Sequence, residues 1–132
     1  MGKLIVTLDK VTNLVDEDAI GKSDPYVKFE LEQDNLVFDK DFGDQVSSKK
    51  KDTCNPEWDE TFYFSDIPGL NNMVLKCIVK DDDPIFDDKL GSCKIKLENM
   101  GLTSDPVGVD AVVDDNWICK DARIFLKLAY EE

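Results

Sequence analysis

Histidine is absent from all 132 residues. Without it the chain lacks the usual general base, so a Ser-His or Cys-His nucleophile cannot be assembled, and the chain reads as a non-enzyme. Cys54, Cys77, Cys93 and Cys119 offer no C-x-x-C pair and lie within or beside apolar runs, which favours reduced core thiols over zinc or disulfides. No segment approaches the roughly 20 apolar residues of a membrane-spanning helix, and the opening "MGKLIVTLDK" is too short an apolar run for a signal peptide, so a soluble cytoplasmic protein is expected. Basic residues are also scarce. Sixteen stand against 29 acidic ones, and the net charge of −13 repels nucleic acid and anionic membrane alike. An anionic partner has to be reached through a bound cation or a local basic patch.

The prevailing periodicity is two. "YVKFELE" turns Val27, Phe29 and Leu31 to one side and Lys28, Glu30 and Glu32 to the other. The same alternation runs through Leu4, Val6 and Leu8; Trp58, Phe62 and Phe64; Leu75, Cys77 and Val79; Cys93, Ile95 and Leu97; and Ile124, Leu126, Leu128 and Tyr130. Weaker runs near 45–51 and 115–119 bring the total to eight short strands, and a short helix is allowed between Leu97 and Asp115. The fold predicted is an all-β, eight-stranded antiparallel β-sandwich, one domain over residues 1–132, with "EQDNLVFDKDFGDQ" as a surface loop. In such a sandwich the connections after strands one, three, five and seven share one end. That parity gathers "VDEDAIGKSD", "KDTCNPE" and "KDDDPIFDDKLG".

The first of these loops places Asp16, Asp18 and Gly21 at positions 1, 3 and 6 of an EF-hand, but Ile20 and Val27 occupy ligand positions and the flanks alternate as strands, so that motif is rejected. The third loop carries Asp81, Asp82, Asp83, Asp87 and Asp88. Two carboxylates about 5 Å apart repel by roughly 3 kcal/mol at an effective dielectric near 20, a penalty that a bound cation removes. Donors that are all oxygen point to calcium, whose flexible coordination suits loops better than the strict octahedron of magnesium.

These residues resemble the C2 domain family. "NLVDEDAIGKSDPYVKFEL" is similar to its first-loop signature, "TCNPEWDETFYF" to its T-x-N-P-x-W segment, and "VKDDDPIFDDKLG" to its V-x-D-x-D followed by D-D-x-x-G. The resemblance implies that Asp18, Asp24, Asp81, Asp83 and Asp88 ligate two or three Ca2+, with carbonyls of Glu17 and Asp82 as further oxygens. Asp52 matches a second-loop ligand of some members, with a solvated carboxylate as its alternative. The span from Asp81 to Gly91 is one residue shorter than the commonest pattern, so Asp87 competes with Asp88. Because "ARIFLKLAYEE" closes the chain and resembles a strand that other members carry first, type II connectivity is implied.

The loop tips, Ala19 and Ile20 in the first and Ile85 and Phe86 in the third, are the residues expected to insert among headgroups once calcium quenches the neighbouring carboxylates. The resemblance implies calcium-dependent binding to anionic phospholipid such as phosphatidylserine, by a monomer recruited from the cytoplasm. Lys49, Lys50 and Lys51 lie where some C2 domains hold phosphoinositides, a solvated strand end being the alternative. A second reading has the acidic rim dock a protein partner. Paired-carboxylate glycoside hydrolysis is the third, and carboxylates beside apolar loop tips fit it less well than metal and membrane.

Overall fold

The computed structural model describes residues 1–14, 24–51, 53–82, 87–113 and 122–132, with backbone alone for residues 87 and 88. Eight strands are present among the described residues: β1 (Gly2–Thr12), β2 (Pro25–Gln33), β3 (Lys40–Val46), β4 (Glu57–Ile67), β5 (Met73–Asp82), β6 (Asp87–Lys96), β7 (Val107–Val112) and β8 (Arg123–Glu131). They form two antiparallel four-stranded sheets ordered β4-β1-β8-β7 and β3-β2-β5-β6, the β-sandwich expected. The last strand lies between β1 and β7, beside the strand that feeds the first acidic loop, as type II connectivity requires.

The alternation of the sequence becomes the alternation of burial. Leu4, Val6 and Leu8 of β1, Val27, Phe29 and Leu31 of β2, Leu75, Cys77 and Val79 of β5, and Ile124, Leu126 and Leu128 of β8 are buried between the sheets. Burying each such large side chain stabilises by about 1.5–3 kcal/mol, so this repeated stripe fixes which face of every strand turns inward. Phe62 and Cys93 are only partly buried, and Phe62 meets Phe29 with ring centroids 5.4 Å apart.

Two strands depart from the sequence expectation. The third occupies Lys40–Val46 rather than 45–51, and draws half of the expected surface loop into the sheet. Phe42 packs on the core, while Asp41 accepts the Gly43 N–H at 2.8 Å and Gly43 takes a φ of +114°. The register jumps there from Glu30↔Asp44 to Glu32↔Asp41, a bulge that accommodates a glycine where pattern reading finds only polarity. The strand stops at Val46 because the Ser47 hydroxyl, rather than a backbone carbonyl, takes the Val27 N–H at 2.8 Å. The seventh strand is Val107–Val112, within the region allowed a helix; no helix occurs among the described residues, and residues 115–119 lie outside them. "VGVDAV" alternates weakly, with Val109 and Ala111 against the core, which suffices for an edge strand.

Candidate functional site

Every connection expected at one end converges there as far as it is described. Beyond β1, Asn13 adopts a φ of 60° and turns the chain off the sheet. Its N–H donates to Asn55 Oδ1 at 2.9 Å, and the Leu14 N–H donates to the Cys54 carbonyl at 2.8 Å. The root of the first loop is thereby stitched to the exit of the second. Asn55 of the T-x-N-P segment is thus a structural residue, holding the first loop from the second.

The first and third loops meet at Asp24. Its N–H donates to Asp81 Oδ1 at 2.8 Å, and its carbonyl accepts the Asp82 N–H at 3.0 Å, just outside the ladder that sets Pro25 opposite Asp81. Asp81 is therefore an oriented carboxylate, half-buried and held by a backbone donor, the kind of outer contact that aims metal ligands. On β6 the register sets Asp88 opposite Asp81 and Asp87 opposite Asp82. Both competing aspartates thus stand on the backbone opposite the D-x-D strand.

The second loop contributes a cation. Lys49 Nζ lies 3.2 Å from Asp82 Oδ1 and 5.5 Å over the Tyr26 ring, while the Lys50 N–H donates to the Pro25 carbonyl at 2.9 Å. The three lysines follow β3 rather than lying on it, contrary to the strand position expected, because the ladder has already been diverted at Ser47. Lys49 faces the acidic rim. Asp24, Asp81 and Asp82 supply oxygen donors only, and Cys54 packs against the core, so the described donor set suits a hard cation such as calcium. Glu17, Asp18, Ala19, Ile20, Asp52, Asp83, Ile85 and Phe86 lie outside the described residues.

A second acidic group, unforeseen in the sequence, sits at the opposite end. Carboxylate oxygens of Glu32, Asp34 and Asp39 lie within 4.8 Å of one another where β2 leaves its sheet. Glu32 also pairs with Lys76, whose pKa is raised by that hydrogen bond against the opposing effect of burial. At about 3.3 Å per residue, the nine residues of β2 set this cluster roughly 25–30 Å from Asp24.

The C2 domain family model matches residues 2–111, most of the chain. The chain belongs to the C2 domain family. Among its curated relatives, mouse (Mus musculus) Synaptotagmin-3 is 35% identical over 109 residues, covering 81% of this chain and 17% of the relative. A protein named Calcium-dependent lipid-binding protein from Arabidopsis thaliana is 32% identical over 106 residues, covering 79% and 19%. This C2 domain therefore spans about a fifth of the length of the curated relatives it matches. Among solved structures, a C2 domain of plant Extended Synaptotagmin 1 superposes with a TM-score of 0.83 at 23% identity, over 98% of this chain and 94% of that one. The calcium-bound pair of C2 domains of Extended-Synaptotagmin 2 superposes with a TM-score of 0.74 at 23% identity, over 98% and 45%.

Proposed function

We propose that this C2 domain binds anionic phospholipid membrane when calcium occupies its acidic rim. The observation that carries the reading is the direct joining of the first and third loops, Asp24 N–H to Asp81 Oδ1 and Asp82 N–H to the Asp24 carbonyl. This arrangement concentrates carboxylates from two distant stretches at one end, where their mutual repulsion favours a cation. Asp24 and Asp81 would hold calcium together with Asp18, Asp83 and Asp88 or Asp87, and the carbonyls of Glu17 and Asp82 would complete its oxygen shell. Asp52 would add a second-loop ligand. Bound calcium would reverse the local potential and offer coordination to headgroup phosphate or carboxylate oxygens.

The protein's own part is then to let lipid approach. Two calcium ions add four positive charges and take the net charge from −13 to −9, so the change that matters is local to the rim. With repulsion relieved there, Ala19, Ile20, Ile85 and Phe86 enter the headgroup layer, and Lys49, Lys50 and Lys51 add attraction for anionic lipid, phosphoinositide included. Such a protein, monomeric and without catalysis of its own, would move from cytoplasm to membrane as calcium rises. The test is co-sedimentation with phosphatidylserine vesicles in chelator and in calcium. Pelleting only with calcium, lost in Asp81→Asn, is expected; the amide oxygen still accepts the Asp24 N–H, so the loop brace survives. Pelleting in neither condition would favour protein docking through the rim, and pelleting in both would transfer the role to the lysines.

A further inference from the structure

The far end of the sandwich carries a feature for which calcium and the rim have no use. Between β2 and β3 the chain exposes three consecutive apolar residues, Leu36, Val37 and Phe38, at 106%, 79% and 80% of their full exposure. Isolated exposed apolar residues are ordinary, but a run of three at a tip is disfavoured unless it meets something. The exposure is built in. The Asp34 N–H donates to the Asn72 carbonyl at 2.9 Å, Gln33 Nε2 donates to the Asn71 carbonyl at 3.1 Å, and the Asn35 N–H donates to Asp39 Oδ1 at 3.3 Å. These bonds brace the stem against the neighbouring turn, leaving the tip outside the core.

Charge around the tip identifies what meets it. A cavity of about 190 Å³ beside the stem is lined by Glu30, Glu32, Asp39, Asp41 and Asp44, and Asp34 adjoins it in the acidic cluster. Among the described residues two lysines pair with these six carboxylates, Lys28 with Glu30 and Asp44 and Lys76 with Glu32, and Lys40, a third cation on the stem, lies over the Phe42 ring. The excess is three negative charges at a patch whose centre is apolar. An anionic lipid surface or a second copy of this acidic chain would bring like charge onto carboxylates that burial of Phe38 must also desolvate. A partner carrying both apolar and cationic groups satisfies both parts.

The geometry points to a second docking surface here, for a basic amphipathic segment of another protein, whose apolar side chains cover Leu36, Val37 and Phe38 while its lysines or arginines enter the Glu30, Asp39 and Asp44 groove. It lies at the end opposite the rim and does not depend on calcium or membrane. The domain would then link two partners, one at each end.

The probe is an 18-residue peptide of lysine and leucine with a helical apolar stripe, titrated into the isotopically labelled chain and followed by amide chemical shifts. Two control peptides accompany it, one of the same composition without the stripe and one with glutamate in place of lysine. Saturable shifts confined to residues 30–44, at least about tenfold weaker binding for the Leu36→Ser/Val37→Ser/Phe38→Ser variant and for the stripeless peptide, and none for the glutamate peptide are expected. The variant changes exposed residues only. A Glu30→Gln/Asp39→Asn/Asp44→Asn variant, which keeps an amide oxygen at position 39 to accept the Asn35 N–H, gives an independent loss. Unchanged affinity in either variant, or shifts centred on Asp24, Asp81 and Asp82, would overturn the proposal. So would tip shifts produced by phosphatidylserine vesicles, and so would shifts at Glu32, Asp34 and Asp39 with calcium chloride but not with peptide.

Discussion

Replacing Ser47 by alanine tests how the second loop is held. Ser47 is 5% exposed, and its hydroxyl performs two tasks, accepting the Val27 N–H at 2.8 Å and donating to the Ser48 carbonyl at 2.9 Å. Alanine leaves the Val27 N–H buried with no acceptor, since Val27 is itself fully enclosed, and the Ser47 N–H to Val27 carbonyl bond of 2.9 Å keeps water from entering readily. An orphaned buried donor costs about 1–3 kcal/mol. For a chain of this size each kilocalorie is worth roughly 4 °C, so a fall in melting temperature of about 4–12 °C is expected. Urea unfolding should give a lower midpoint at unchanged m-value, because the surface exposed on unfolding is the same. Threonine in place of alanine should recover most of the loss, since it restores the hydroxyl. A Ser47→Ala loss below about 0.5 kcal/mol, the range of an ordinary surface change, would refute the reasoning.

Phe29 is fully buried against Phe62, and Phe29→Ala should destabilise by about 3–5 kcal/mol in the same urea experiment. Lys49 holds a positive charge 3.2 Å from Asp82, so Lys49→Met should tighten calcium binding by about two- to fivefold in calorimetric titration, the size expected of one exposed charge contact. Burial raises the Tyr130 pKa, and hydrogen bonding to Glu32 raises that of Lys76. In both cases the folded chain binds its proton more tightly than the unfolded one, so the stability present below pH about 10 is lost as pH rises beyond it. Melting between pH 8 and 11 should accordingly fall more steeply in the wild type than in Tyr130→Phe/Lys76→Met.

The sandwich was legible because burial obeys alternation. Wherever Val, Leu, Ile and Phe recur at every second position, as at Val27, Phe29 and Leu31, only one face can turn inward, and the strand follows. β3 and β7 escaped this logic. β3 turns on a glycine bulge that alternation does not encode, and β7 is an edge strand with a single row of small contacts, Val109 and Ala111. Loop parity correctly brought Asp24 beside Asp81, but the means were hidden: a backbone N–H on a carboxylate has no periodicity to read. Lys49 on Asp82, and Asn55 beneath Asn13, depend likewise on where a loop bends rather than on what it contains. The acidic cluster of Glu32, Asp34 and Asp39 was obscured differently, since Asp39 reaches Glu32 only after the chain has turned through an apolar tip that reads as ordinary loop.

The pairing of the first strand with the last bears on how the fold resists a pull. β1 and β8 run antiparallel from Lys3↔Glu131 to Thr12↔Arg123, and Lys3 and Glu131 approach to 3.9 Å. Tension applied through residues 1 and 132 therefore arrives at one end of this ladder and acts across the strands. The bonds are opened in succession like a zipper, each bearing the load alone, whereas a parallel arrangement would load them all in shear. Under such tension the first elements lost are β1 and β8, the two central strands of their sheet, and the β3-β2-β5-β6 sheet that carries Asp24 and Asp81 retains its own ladder. Mechanical unravelling would thus begin at Lys3 and Glu131, the end of the β1–β8 seam away from the rim, and run toward Thr12 and Arg123.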